Sequence, residues 1–263
     1  MSLRGRVWFE RLTAGGSSVD GLPASVLAAD VSLRGVPVRA IAVVPDPGAR
    51  MRRARSGEVG IDEGHGIAAA VKGAPPDSGI LAIVDVPGQA FGREEEEIGL
   101  QLALAAAVEA YAIRRRAGTP IAALLVGKAI SGAFLAHGMQ AGWIGALADP
   151  QIEVHVMSAA ATARVTRMAP EQIARLAGEI PATSRRIQSF ASFGAIDTLF
   201  DVADPDDPSP TDVDAVASAV AAALADPVRG CRNPVARLNA DAAQTTRALA
   251  REVRARIDAE WNA

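Results

Sequence analysis

The sequence predicts an α/β fold that ends in a helical segment, and three observations carry that expectation. Two β-like runs flank a tight turn near the start. A βαβ unit follows, in which continuous apolar runs bracket a long charged helix, and the tail from Val235 to Trp261 is Ala/Arg-rich and amphipathic. With 263 residues, 49% hydrophobic and 22% charged, the chain has ordinary globular composition and enough length for one large α/β domain or two small ones.

The runs "ASVLAADVSL" and "VPVRAIAVVPD" are separated by Arg34-Gly35 and read as an antiparallel hairpin. The polar stretch "PDPGARMRRARSGEVG" is expected to be exposed. Ile61, Ile67, Ala68 and Val71 then recur at helical spacing, with Gly73 and Pro75-Pro76 as stop signals. "GILAIVDVP" reads as a buried strand and "GQAFG" as its exit loop. "REEEEIGLQLALAAAVEAYAIRRRAG" reads as a single helix, with Glu94 to Glu97 at its positive end and Arg114, Arg115 and Arg116 at its negative end. "PIAALLVG" is the next strand, and it delivers the chain to the turn in "KAISGAFLAHG". A right-handed βαβ unit puts both post-strand turns at one sheet edge, so Pro87-Gly88 should face Ser131-Gly132.

Further along, "WIGALAD" and "QIEVHVM" read as strands and "TARVTRMAPEQIARLAGEI" as one helix. "ADPDDPSPTD" reads as an exposed linker. The boundaries expected are a domain over 1–203, a Pro/Asp-rich linker over 204–211 and a helical segment over 212–263, packed on the domain or on a partner.

Composition excludes several classes. A formal net charge of -3 gives no basic field for nucleic acid or an anionic membrane. The start lacks the apolar core of a signal peptide, and the longest apolar stretch, Phe134 to Ala148, is interrupted by His137, Gln140 and glycines. A single cysteine, Cys231, beside Arg232, Asn233 and Pro234, allows no intramolecular disulfide and reads as a quiet loop thiol, which fits a reducing cytoplasm. His65, His137 and His155 lack zinc-ligand spacing, and no metal site is expected.

Ser131-Gly132-Ala133 opens a helix, where backbone N–H groups lack intrahelical partners and small side chains let a ligand approach. Such a turn can hold developing negative charge, though any tight strand-to-helix junction also prefers small residues. His137, one turn beyond Ala133, faces either a pocket or a packed interface. Lys128 reads as a contact for an anionic substrate or as a solvated strand end. Arg50, Arg52, Arg53 and Arg55 read as contacts for a carrier group or carrier protein, or as an exposed loop.

The stretch from "ILAIVDVPGQAFG" to "LLVGKAISGAFLAHG" resembles the carboxyltransferase branch of the crotonase superfamily. There an acidic Asp-x-Pro-Gly loop, here Asp85 to Gly88, precedes a long helix, and a Gly-x-x-x-Gly-Gly-Ala turn, here Gly127 through Ser131-Gly132-Ala133, opens the next. "IEVHVMSAAATARV", "FGAIDTLFDV" and the hairpin fit the same pattern, so the resemblance covers roughly residues 20 to 205, in order. Within that branch the chain resembles the gamma subunits of biotin-independent malonate decarboxylases.

That resemblance implies a crotonase-like repeated ββα spiral with C-terminal helices. It implies a beta subunit as the other half of a shared site in a hetero-oligomer, and an acyl carrier protein bringing malonyl thioester on a phosphopantetheine-type group, with no cofactor bound covalently to this chain. Acetyl thioester and carbon dioxide would be the products. Carried over by position, the N–H groups of Gly132 and Ala133 are the oxyanion donors, with Ser131 where the family often has Gly. Pro87, Gly88, Gln89, Lys128 and His137 would contact substrate. The alternatives are a carboxyltransferase half working with a biotin carrier, a Clp-like serine hydrolase using Ser131 and His155, and a noncatalytic scaffold half.

Overall fold

The computed structural model describes residues 2–231, 237, 240–241 and 243–261. Its centre is one sheet of strands β1 (Ser17–Ser18), β2 (Val26–Leu33), β3 (Val36–Val43), β4 (Gly79–Val86), β5 (Ile121–Ile130), β6 (Trp143–Leu147), β7 (Val154–His155) and β8 (Thr198–Phe200). The order is β1-β2-β3-β4-β5-β6-β8, with β7 pairing the far end of β5. β2 and β3 form the expected antiparallel hairpin, and every pairing from β3 onward is parallel. Arg34 and Gly35 adopt φ of 50° and 85°, the two left-handed residues that a two-residue hairpin turn requires.

Parallel strands covered on both faces read as unbroken apolar runs, and β4 is buried at every position. Helices α1 (Arg4–Leu12), α2 (Ile61–Lys72), α3 (Arg93–Ile98), α4 (Leu100–Arg116) and α5 (Ser131–His137) pack around this centre. α2 lies closely on α4, because a Cβ on Gly64 would stand only 2.9 Å from the Ala103 carbonyl. α1 has no counterpart in the expectations above, although its spacing of Trp8, Phe9 and Leu12 gives it a buried face.

Three expectations are corrected. The stretch 93–116 is two helices, because Gly99 sits at φ 111° and turns the chain so that Leu100, Ala103, Ala107 and Ala110 are buried. The stretch 162–180 is likewise divided, into α6 (Ala159–Thr166) and α7 (Pro170–Glu179), by Arg167 at φ 57° and by Pro170, which lacks a backbone donor and opens the second helix. The loop 45–60 is not wholly exposed: Ala49, Met51 and Ala54 form a small buried cluster, Arg50 pairs with Asp62, and Arg53 pairs with Glu58.

Residues 204–211 are fastened to α1. Asp206 and Asp207 pair with Arg4 and Arg11, and the Trp8 indole N–H donates to the Pro205 carbonyl at 3.0 Å. After the short helix α8 (Ile187–Ser192), helix α9 (Pro210–Ala225) places Val216, Val220 and Leu224 in the main core. Farther on, the helix Ala248–Trp261 leaves Leu249, Val253, Ile257 and Trp261 exposed. Arg232 to Ala236, which include the residues flanking Cys231, lie outside the described residues, as do 238, 239, 242, 262 and 263 of the expected C-terminal segment.

Candidate active site

The ends of β4 and β5 point the same way, so the loop after one and the turn after the other meet. Their meeting point is a cleft of about 580 Å³ walled by Pro87, Gly88, Gln89, Lys128, Ser131 and Gly132, with Glu153, His155 and Arg185 opposite. Gly88 is at φ 143°, a conformation that favours glycine. Gln89 is fixed at its backbone by Val59: Val59 N–H donates to the Gly88 carbonyl and Ala90 N–H to the Val59 carbonyl, both at 2.9 Å. Only its side chain is left to move.

The Gly132 N–H donates to the Gln89 Oε1 at 3.0 Å. A carbonyl-type oxygen therefore already occupies the donor. A Cβ at 132 would run into the same amide oxygen, so a larger residue there would have to displace the Gln89 side chain. Ser131 holds the left-handed conformation at φ 57°, which explains why a glycine would suit this position. Its hydroxyl donates to the Val156 carbonyl at 2.5 Å, tying the turn to the segment after β7. That hydroxyl is committed to a carbonyl rather than to His155, so the arrangement of a serine hydrolase is not assembled.

Asp85, two residues before Pro87, has a structural task that its position in the Asp-x-Pro-Gly loop does not announce. Its buried carboxylate accepts from the Gly5 N–H at 3.2 Å and from the Lys128 N–H at 3.1 Å, joining α1 to the ends of both central strands. Gly127 must lack a side chain there, because a Cβ would collide with that carboxylate.

Two expected site residues lie elsewhere. His137 is completely buried, with its Nδ1 2.9 Å from the Tyr111 hydroxyl and its Nε2 3.3 Å from the Ile83 carbonyl. The carbonyl can only accept, so Nε2 carries the proton and Nδ1 accepts from the tyrosine. Burial pushes the imidazole pKa down to about 4, and the ring belongs to the core rather than to the cleft. Ala133 is also fully buried and is not among the residues that line the cleft, whereas Gly132 lines it and its N–H meets Gln89 there.

The cleft is rich in charge. Arg53 and Glu58 neutralise each other in its wall, whereas among the described residues neither Lys128 nor Arg185 has an ion-pair partner. Burial first, and then Arg185, hold the His155 pKa below its ordinary value, while Glu153 pulls it the other way. His65 is exposed on α2, away from these groups. Among the described residues no helix is long and apolar enough to cross a membrane.

The chain is 46% identical to a chain of a Pseudomonas malonate decarboxylase hetero-tetramer in complex with coenzyme A, at TM-score 0.87 over 96% of this chain and 99% of that one. It is 43% identical to a chain of the Pseudomonas malonate decarboxylase MdcD-MdcE hetero-dimer, at TM-score 0.85 over 98% and 99%. Transcarboxylase 12S, at 22% identity and TM-score 0.61 over 83% of this chain and 40% of that one, shares the fold, which is the crotonase-like one. A curated relative, malonyl-S-ACP:biotin-protein carboxyltransferase MADD of Malonomonas rubra, is 33% identical over 159 residues, 57% of this chain. The chain spans about half the length of that relative, 54%. The family model of the malonate decarboxylase gamma subunit matches residues 54–261, most of the chain, and the chain belongs to that family.

Proposed function

We propose that this chain is the gamma half of a cytoplasmic malonate decarboxylase, completing with a beta subunit a shared site that converts malonyl thioester to acetyl thioester and carbon dioxide. The thioester would be carried on the phosphopantetheine-type group of an acyl carrier protein. The observation that carries the reading is the Gly132 N–H, which points into the cleft and already holds the amide oxygen of Gln89 at 3.0 Å. A thioester oxygen is a chemically similar acceptor. When the carboxylate leaves, that oxygen gains enolate charge, and a fixed donor of this kind contributes about 2.7–4 kcal/mol to the transition state. Lys128, near the end of β5 and in the same cleft lining, suits the anionic end of the substrate.

Substrate must displace Gln89 from Gly132. Gln89→Ala is therefore expected to lower KM for malonyl thioester by a few-fold with a smaller change in kcat, as steady-state kinetics on the complex would read. Ser131→Gly should retain most of the turnover, because it removes one hydrogen bond and relieves a left-handed side-chain conformation at the same position. Loss of activity in that variant, with labelling of wild-type Ser131 by a fluorophosphonate, would favour a serine nucleophile instead.

A second reading follows from the Malonomonas relative, whose name makes a biotin protein the carboxyl acceptor. The experiment that separates them is carbon dioxide release from malonyl thioester by this chain, by its beta subunit, and by both together, without biotin. Turnover that needs both chains and no biotin supports the decarboxylase. Turnover that appears only when a biotin carrier is added supports carboxyl transfer.

A further inference from the structure

We propose that His155 delivers the proton that quenches the α-carbon after carbon dioxide leaves, an inference that rests on the decarboxylase reading above. Decarboxylation leaves an enolate, and a product cannot form until that enolate is protonated. Neither Gly132 nor Gln89 can supply and regain a proton near neutral pH.

The sheet register directs His155 toward the place where the enolate would form. β5 and β7 are parallel with Ala129 opposite Val154 and Ile130 opposite His155. Residues directly opposite one another project to the same face of a sheet, so His155 shares the face of Ile130. Ile130 reaches the Gly88 loop, its Cγ2 standing 3.9 Å from where a Cβ of Gly88 would lie. His155 therefore flanks the cleft on the side where Gln89 and Gly132 meet, and both it and Ile130 line that cleft.

The surroundings of the ring suit a proton donor. The side chain is 10% exposed, and its Nε2 lies 3.7 Å from Glu153 Oε2. Its Nδ1 is buried and has no hydrogen-bond partner among the described residues. A buried polar nitrogen without a partner calls for an explanation, and a reacting atom met in the cleft supplies one. Of the other groups in the cleft, the Ser131 hydroxyl is engaged with the Val156 carbonyl and Arg53 with Glu58, the Arg185 guanidinium does not give up its proton, and Lys128 is exposed to solvent. Burial and Arg185 favour the neutral imidazole, Glu153 and the Met157 backbone act the other way, and an arriving malonyl carboxylate would add to them in favouring the imidazolium.

The bond from the α-carbon to the carboxylate breaks, its electron pair enters the enolate, and carbon dioxide leaves. The enolate pair then forms a new C–H bond as the imidazolium N–H breaks. Neutral His155 regains its proton from solvent.

The test uses the complex of this chain with its beta subunit and follows exchange of the α-protons of acetyl-CoA with D2O by mass spectrometry. That exchange is the reverse of enolate protonation and breaks no C–C bond. His155→Gln should slow it by about 10²-fold or more, with KM for malonyl thioester little changed. Added imidazole should partly restore exchange in His155→Ala, which a purely structural role would not allow. Should the His155 variants fail to assemble, Glu153→Gln serves instead, and it should move the pH profile of exchange to lower pH because the group that favours the imidazolium is gone. Undiminished exchange in His155→Gln, or an unmoved profile in Glu153→Gln, would overturn the assignment. A wild-type complex that releases no carbon dioxide at all would instead count against the decarboxylase reading.

Discussion

Gly132→Val is expected to lower kcat of the assembled complex by about 10²–10³-fold, the effect of losing one oxyanion donor. The reason is geometric. Gly132 is half-buried, its N–H faces the cleft, and a Cβ at this position collides with the oxygen that now occupies the donor. A valine would fill the space that the thioester oxygen needs, while the bulk of β5 and the core behind Ala133 stay as they are. Because the lost interaction strengthens as enolate charge develops, kcat should fall more than substrate affinity does. Steady-state turnover, with assembly checked by size-exclusion chromatography, reads both. Undiminished turnover in an assembled variant would mean that this half is a scaffold and the beta subunit performs the chemistry alone.

The second large effect is on stability, and it comes from His137. The buried ring has its pKa pushed down to about 4 from an ordinary value of 6.5, with burial as the principal cause. The folded state therefore holds the imidazole neutral where the unfolded chain would protonate it. Its contribution is complete above the unfolded value of about 6.5 and is lost as the pH falls toward 4, because the unfolded state binds the extra proton throughout that window. The shift corresponds to about 3 kcal/mol. Urea unfolding at pH 7.5 and at pH 4 should differ by that amount beyond the trend set by the carboxylates.

Tyr111→Phe alone leaves the Nδ1 of His137 without its donor and should cost about 1–3 kcal/mol. The double variant Tyr111→Phe/His137→Leu replaces both polar partners with apolar groups. It should be less destabilised than the sum of its singles, and its stability should vary less between pH 7.5 and pH 4. An unchanged pH dependence in the double variant would show that His137 is not the titrating group.

Much of this architecture was legible because its signals are local. The hairpin declares itself through two apolar runs on either side of Arg34-Gly35, and β4 and β5 through unbroken apolar stretches that need two covered faces. From those strands, the meeting of the Gly88 loop with the Ser131-Gly132 turn follows by handedness alone. The Gly99 break was hidden because good helix formers stand on both sides of it, so that a turn set by packing of Leu100 and Ala103 overrode local propensity.

The finer site was less accessible. His137 sits at helical spacing from Ala133, but spacing along a seven-residue helix does not say which side of it faces the core. Nothing in the sequence pairs Val59 with Gln89, and that pairing fixes the loop from which the glutamine reaches Gly132. The Asp85 clamp likewise depends on α1, whose docking brings the Gly5 N–H to the end of β4. His155 could be suspected from its place after the turn. Its proximity to Glu153 and its unpartnered nitrogen are properties of the folded cleft.

The proposed chemistry of this half would rest on one hydrogen bond, from the Gly132 N–H to the oxygen of the substrate. The measurement that tests it is the amide NMR signal of 15N-labelled Gly132 in the complex with the beta subunit, recorded before and after adding a nonhydrolysable malonyl thioester analogue. A distinct shift of the Gly132 amide is expected as the thioester oxygen replaces Gln89, and in Gln89→Ala the same bound position reached from a different unbound one. Saturated binding of the analogue with the Gly132 signal unmoved would contradict it.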